Sequence, residues 1–171
     1  MHFEVIVIEG EVMATNLRTK VDDFLSQKRI AIAGVSHTNP NNTANAIYRR
    51  FRDAGYDVFP VNPNAETVEG TTCYKHLKDI PGHVDGVVIV TRAEITESVV
   101  HDCKEAGITR VWMHGGVHGP GSSVSDPAVS YCNDHNISVI AGACPLMFGT
   151  TSDGFHRLIK GVYGMMGRLP N

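Results

Sequence analysis

The chain has 171 residues, of which 42% are hydrophobic and 19% charged, with a net charge of −3. Such a length fits one domain with a substantial core, and the mild acidity excludes the basic footprint of a nucleic-acid or anionic-membrane binder. No apolar run approaches the roughly 18 residues of a membrane span.

The chain opens on "FEVIVIEGEVM", which carries acids where an export signal has its basic region. Residues 1–14 are therefore expected to form an edge strand or an extension ahead of the folded domain, and the expected compartment is the cytoplasm. Cys73, Cys103, Cys132 and Cys144 show no C-x-x-C spacing. They read as reduced thiols, and no metal site is assigned.

A leading helix is expected over 17–26, then a strand over 29–35, a helix over 43–54 and a strand over 57–61. The pattern continues with a strand over 84–91, a helix over 95–106, a strand over 110–114, a helix over 123–135 entered at or near Pro127, and a strand over 137–141. "AGY" at 54–56 and "AGI" at 106–108 are helix stops. "IAIAGVS" and "VDGVVIVT" are apolar on consecutive residues, as strands buried on both faces are. The alternation of strands and helices predicts an α/β fold, Rossmann-like and doubly wound, with a mainly parallel five-stranded sheet and helices on both faces. The domain spans 15–147. Residues 148–171 form an expected helical tail whose "HRLIKGVYGMMGRLP" is amphipathic and a candidate contact for a homodimer.

Ligands of such sheets bind at the carboxyl ends of the strands. Gly34 ends the first strand and is the only glycine between Ile30 and Arg50. With Ser36 and the helix start it offers a seat for phosphate, the alternative being an ordinary connection with one turn glycine. The second strand ends at Val61, Asn62 and Pro63, where NAD-binding domains carry an acid for the ribose diol. A neutral amide lowers the NAD reading, though the proline-stiffened turn could itself be what needs Asn62. Thr91 and Arg92 open the loop after the third strand, where Arg92 is either a phosphate contact or an exposed helix-end charge. Trp112 is expected in the core, facing opposite to Met113. His114 and His118 are four residues apart, but glycines intervene and no third ligand is near. Cys144 lies just past the fifth strand, either facing the cleft as a reactive thiol or packed and inert.

Together, "IAIAGVS", "NAIYRRFRDAGYDVFPVNP", "VEGTTCYKHLKDIPGHVDGVVIVT", "EAGITRVWMHGG" and "ISVIAGACP" resemble the small single-domain CoA-binding proteins related to the N-terminal domain of the succinyl-CoA synthetase α subunit. The resemblance covers residues 29–145. It implies a Rossmann-like fold with coenzyme A as ligand. By this likeness Gly34, Val35 and Ser36, with the helix start at Ala44 and Asn45, would meet phosphate. Val61, Asn62 and Pro63, with Val90, Thr91 and Arg92, would meet adenine and ribose, and Cys144 would lie near the pantetheine arm. Ala44 departs from a frequent family glycine, and His114-Gly115 from a usual Gln-Pro. The implied function is non-catalytic binding of CoA or an acyl-CoA, as a carrier or regulatory module. The alternatives are a subunit-like fragment of an ADP-forming acyl-CoA synthetase and an NAD(H)-binding sensor.

Overall fold

Among the described residues, five parallel strands form the main sheet, with Asp57–Val61 and Ser138–Ala143 at its edges and Arg29–Ala33, Gly86–Ile89 and Arg110–His114 between them in that order. The computed structural model describes residues 6–115 and 121–149, with side chains from residue 16 onward. Its elements are α1 (Ile6–Leu25), β1 (Arg29–Ala33), α2 (Thr43–Asp53), β2 (Asp57–Val61), β3 (Thr67–Val68), β4 (Thr71–Thr72), β5 (Gly86–Ile89), α3 (Ala93–Glu105), β6 (Arg110–His114), α4 (Asp126–Asp134) and β7 (Ser138–Ala143).

Side chains alternate across the sheet because successive strand residues point to opposite faces. Ile30, Ile32, Val88, Trp112 and Ile140 join Val21 and Phe24 of α1 and Ile47 and Phe51 of α2 in one core layer. Ala31, Ala33, Val87, Ile89, Val111 and Met113 join Val100 and Cys103 of α3 and Cys132 of α4 in the other. Central β5 is buried along its whole length. This is why its sequence is continuously apolar instead of alternating. The doubly wound parallel fold expected from the sequence is the fold observed.

The helix boundaries have local causes. Asn42 starts α2, its side chain accepting from Ala44 N at 2.7 Å. Ser125 starts α4 with Pro127 in the first turn, so that helix begins three residues later than its apolar pattern suggests. The edge-strand reading of residues 1–14 is corrected from Ile6 onward, where the backbone is helical. Val21 and Phe24 anchor α1 on the sheet, and each residue added to a nucleated helix gains a backbone hydrogen bond. Most of the predicted tail, from residue 150 onward, lies outside the described residues, as does His118.

Asp85 closes the entry to the sheet. Its carboxylate accepts from the backbone N–H groups of Arg29 (2.8 Å) and Lys28 (3.1 Å). Burial alone would raise its pKa, but the Arg29 and Lys28 bonds, with His83 and Arg110 nearby, outweigh it and hold the carboxyl below its ordinary value. A depressed carboxylate stabilises the fold fully above its unfolded pKa and loses that contribution as pH falls through the folded one. Asp85→Ala should therefore cost about 1 to 2 kcal/mol at neutral pH, two charge-assisted bonds discounted for solvent screening. In urea unfolding series, the gap to wild type should close as pH drops below about 3.9, the ordinary aspartate value. A gap that stayed constant with pH would show the carboxylate charge to be irrelevant.

Candidate functional site at the carboxyl edge of the sheet

The helices after β1 and β5 lie on opposite faces of the sheet. Their loops part at this switch point and leave a crevice above the strand ends. At the join stands Gly34, with φ 102° and its N–H donated to Val61 O at 3.1 Å. A Cβ built there would sit 2.4 Å from Val90 O. The glycine is thus required by the crossing of two strand ends, whatever binds above them.

The loop after Gly34 is held by its own side chains. Asn45 is 1% exposed. It accepts from Ser36 N at 2.7 Å and donates to Ser36 O at 2.9 Å, closing a two-bond ring on that peptide. Ser36 Oγ in turn accepts from Asn39 N at 3.0 Å. Ala44 is fully buried against the α1/α2 layer, and Asn42 occupies its N–H. Val35 is buried as well. Ser36 and Asn45 therefore shape the loop, and Ala44 is a core residue whose methyl group does not face the crevice.

Asn62 is engaged in the same way. It donates to Val35 O at 2.6 Å and accepts from Asn64 N at 2.9 Å, tying the β1 loop to the β2 turn. The amide stands where an NAD site has an acid because the scaffold uses both of its ends. Across the crevice, Thr91 O accepts from Ser123 Oγ at 2.7 Å, and Thr96 donates to Ser123 O at 2.7 Å. Arg92 is the N-cap residue of α3 with an exposed side chain that makes no cap bond.

Two adjoining hollows result, sharing Asn64. The first, about 360 Å³, lies over the strand ends between Val61, Pro63, Thr91, Ile95 and Val99. Ile95 is 42% exposed, the one large apolar side chain left open among the described residues. Lys75 and His76 form its far wall, with His76 Nδ1 3.5 Å from Asp102 Oδ2. The second, about 650 Å³, opens between Ser36, Asn45, Arg49 and the β3–β4 hairpin. Both volumes are of the size that ligand sites have, roughly 300–1,000 Å³.

Of the residues proposed from sequence, Gly34, Val61, Asn62, Pro63 and Thr91 line the smaller hollow, while Ser36 and Asn45 line the larger. Val90 contributes its backbone beneath Gly34. Cys144 lines neither hollow: it is 5% exposed in the α1/α2 core layer. It sits there because β7 ends at the core beside Leu146, Met147 and Phe148, which is the packed one of the two positions the sequence leaves open. Lys75, Ile95 and Arg49 were missed from sequence. An exposed Ile in the first turn of a helix was the one visible signal among them. His114 is 6% exposed, and its carbonyl accepts from Ser123 N. Among the described residues, no group of three His, Cys, Asp or Glu could hold a metal, and no helix is long and apolar enough to cross a membrane.

Known proteins resemble this chain in sequence and fold. The uncharacterised protein YneT of Bacillus subtilis is 29% identical over 128 residues, covering 74% of this chain and 90% of that protein. The α subunit of the ADP-forming acetate–CoA ligase II of Pyrococcus furiosus is 32% identical over 92 residues, which is 53% of this chain but only 20% of the subunit. A conserved hypothetical protein from Pyrococcus furiosus superposes with a TM-score of 0.61 at 27% identity, over 69% of this chain and 96% of the other. A hypothetical protein from Pyrococcus horikoshii reaches a TM-score of 0.68 at 24% identity, over 85% and 94%, a likeness of fold. The family model of the CoA binding domain matches residues 28–150, from the start of β1 to just past the end of the described chain. The chain belongs to the family of CoA-binding domains.

Proposed function

We propose that this chain binds coenzyme A or an acyl-CoA in the crevice above β1, β2 and β5, as a non-catalytic carrier or regulatory module. The observation that carries this reading is the smaller hollow. Its apolar walls at Val61, Pro63, Ile95 and Val99 suit the faces of a purine, and Lys75 supplies a cation at its rim. No carboxylate stands at the β2 end to accept from a free ribose diol. A ribose already bearing a phosphate, as in CoA, is the better match to a neutral turn facing a lysine.

Binding without catalysis is supported by the polar groups of the hollow. Ser98, His76 and Asp102 all line it. However, Ser98 Oγ donates to Ile95 O at 2.8 Å, so it is engaged by its own helix instead of by a base.

Calorimetric titration with CoA, dephospho-CoA, ATP and NAD tests the reading. CoA should bind most tightly. Its advantage over dephospho-CoA should be about fivefold, the worth of one exposed charge pair, and should vanish in Lys75→Gln. NAD binding as tightly as CoA, or no heat with CoA at millimolar concentration, would overturn the assignment.

A second reading, a fragment of an ADP-forming acyl-CoA synthetase, is favoured by the likeness to the Pyrococcus ligase subunit. It requires a phosphate-accepting histidine. His114 is buried, and His156 lies outside the described residues. Intact-mass measurement after incubation with ATP or an acyl phosphate decides between them, a phosphoryl adduct supporting the enzyme.

A further inference from the structure

The larger hollow contains one permanent cation among the residues that line it, Arg49, and that cation is already neutralised. Glu69 Oε1 pairs with Arg49 Nη1 and also accepts from Asn45 Nδ2 at 3.3 Å. The pair is largely sheltered, with side-chain exposures of 33% for Arg49 and 17% for Glu69. Arg49 Nη1 donates to Pro40 O at 3.0 Å as well, which fixes the guanidinium against the β1 loop.

Glu69 reaches this position from an unfavourable backbone. It and Gly70 are the two central residues of the β3–β4 hairpin, between the Val68–Thr71 pair, with φ of 53° and 76°. A two-residue turn with both φ values positive is normally filled by Asn-Gly or Asp-Gly, since the short side chains tolerate the left-handed region. A glutamate there carries a conformational cost that the turn itself does not require. What the longer side chain gains is the reach to Asn45 and Arg49.

We propose that Glu69 is a built-in stand-in for a ligand phosphate. Its carboxylate occupies an anion seat made by Arg49 and Asn45, and an anionic group of the bound ligand takes that seat by displacing it. The hairpin then releases Glu69 from Arg49, so occupancy of the larger hollow is coupled to the β3–β4 turn. This rests on the reading of the crevice as a site for a phosphorylated nucleotide and adds where one phosphate goes and what it competes with. The shared Asn64 places the seat next to the hollow assigned to the nucleotide.

The test compares Glu69→Gln, Glu69→Asn and Arg49→Gln by titration with CoA and with inorganic diphosphate. Glu69→Asn keeps the turn in a residue that accepts a positive φ, so it should fold at least as stably as Glu69→Gln. Both Glu69 variants should bind either probe about fivefold more tightly than wild type, the equivalent of removing one competing ion pair. Arg49→Gln should weaken both probes, and adding Glu69→Gln to it should restore nothing. If CoA binds wild type and neither Glu69 variant gains affinity, Glu69 only staples the hairpin to α2 and the proposal falls. If diphosphate gains in the variants while CoA binds none of the proteins, the anion seat stands and the CoA assignment is what fails. A loss of affinity in both Glu69 variants would likewise overturn the displacement.

Discussion

Gly34→Ala should unfold this protein at markedly lower denaturant than wild type. Two costs coincide at the position. The backbone sits at φ 102°, which an L side chain rarely adopts, and the new methyl would lie 2.4 Å from the carbonyl oxygen of Val90. That oxygen is backbone, at the end of the central strand β5, so it cannot swing aside as a flexible side chain would. Strained φ and overpacking together amount to about 2 to 6 kcal/mol. In a chain of this size the expected fall in melting temperature is on the order of 10 °C. The crevice should suffer with the fold, because separating β1 from β5 moves Thr91 away from Asn62. An alanine variant with wild-type stability would mean that the two strand ends are not packed as described.

The second large effect lies on the opposite side of the sheet from α3 and α4. Trp112 is fully buried, edge-on to Phe24 at a ring separation of 5.4 Å and tilted against Phe148 at 5.6 Å. Its Nε1–H donates to Ala143 O at 2.8 Å, so the one polar atom of the ring is satisfied inside the core. Removing the ring leaves a cavity beneath α1 and leaves Ala143 O with only its longer bond from Gly115 N at 3.3 Å, with a cost of about 3 to 5 kcal/mol for Trp112→Ala. Trp112→Phe retains most of the packing and should lose about 1 kcal/mol, mainly from the lost indole hydrogen bond. Urea denaturation of the two variants separates the terms. Equal losses would show that the hydrogen bond, not the volume, dominates.

These two positions also show what could be read from the chain. Strand alternation sets Trp112 opposite to Met113, and the usual burial of so large an apolar ring puts it in the core, as found. The order of elements and the carboxyl-edge location of the loops followed from the same periodicity, and from helix stops such as "AGY" and "AGI". Gly34 stands out at the strand end, either as a seat for phosphate or as an ordinary turn glycine. The structure adds a reason that holds in either case, since a Cβ there would meet Val90 O.

Residues whose roles depend on distant partners were not legible. Asn62 bonds Val35 across 27 positions, and Arg49 meets Glu69 across 20. Neither pairing has a sequence period. The β3–β4 hairpin has strands of two residues each, too short for alternation to register, so the Glu69 turn was passed over. The opening "FEVIVI" alternates like a strand, yet the backbone from Ile6 is helical. A few residues of alternation do not outweigh a helix already anchored at Val21 and Phe24. A place at a strand end leaves Cys144 either facing the cleft or packed, and the chain's turn into the core directly after β7 decides for packed.

The most direct test of the account is to follow backbone amide shifts of the labelled protein while CoA is added. The largest changes should fall at Gly34, Ser36, Asn45, Asn64, Lys75 and Thr91, with Cys103 and Cys132 between α3 and α4 unmoved. Shifts that cluster away from the carboxyl edge of the sheet, or none at saturating CoA, would contradict it.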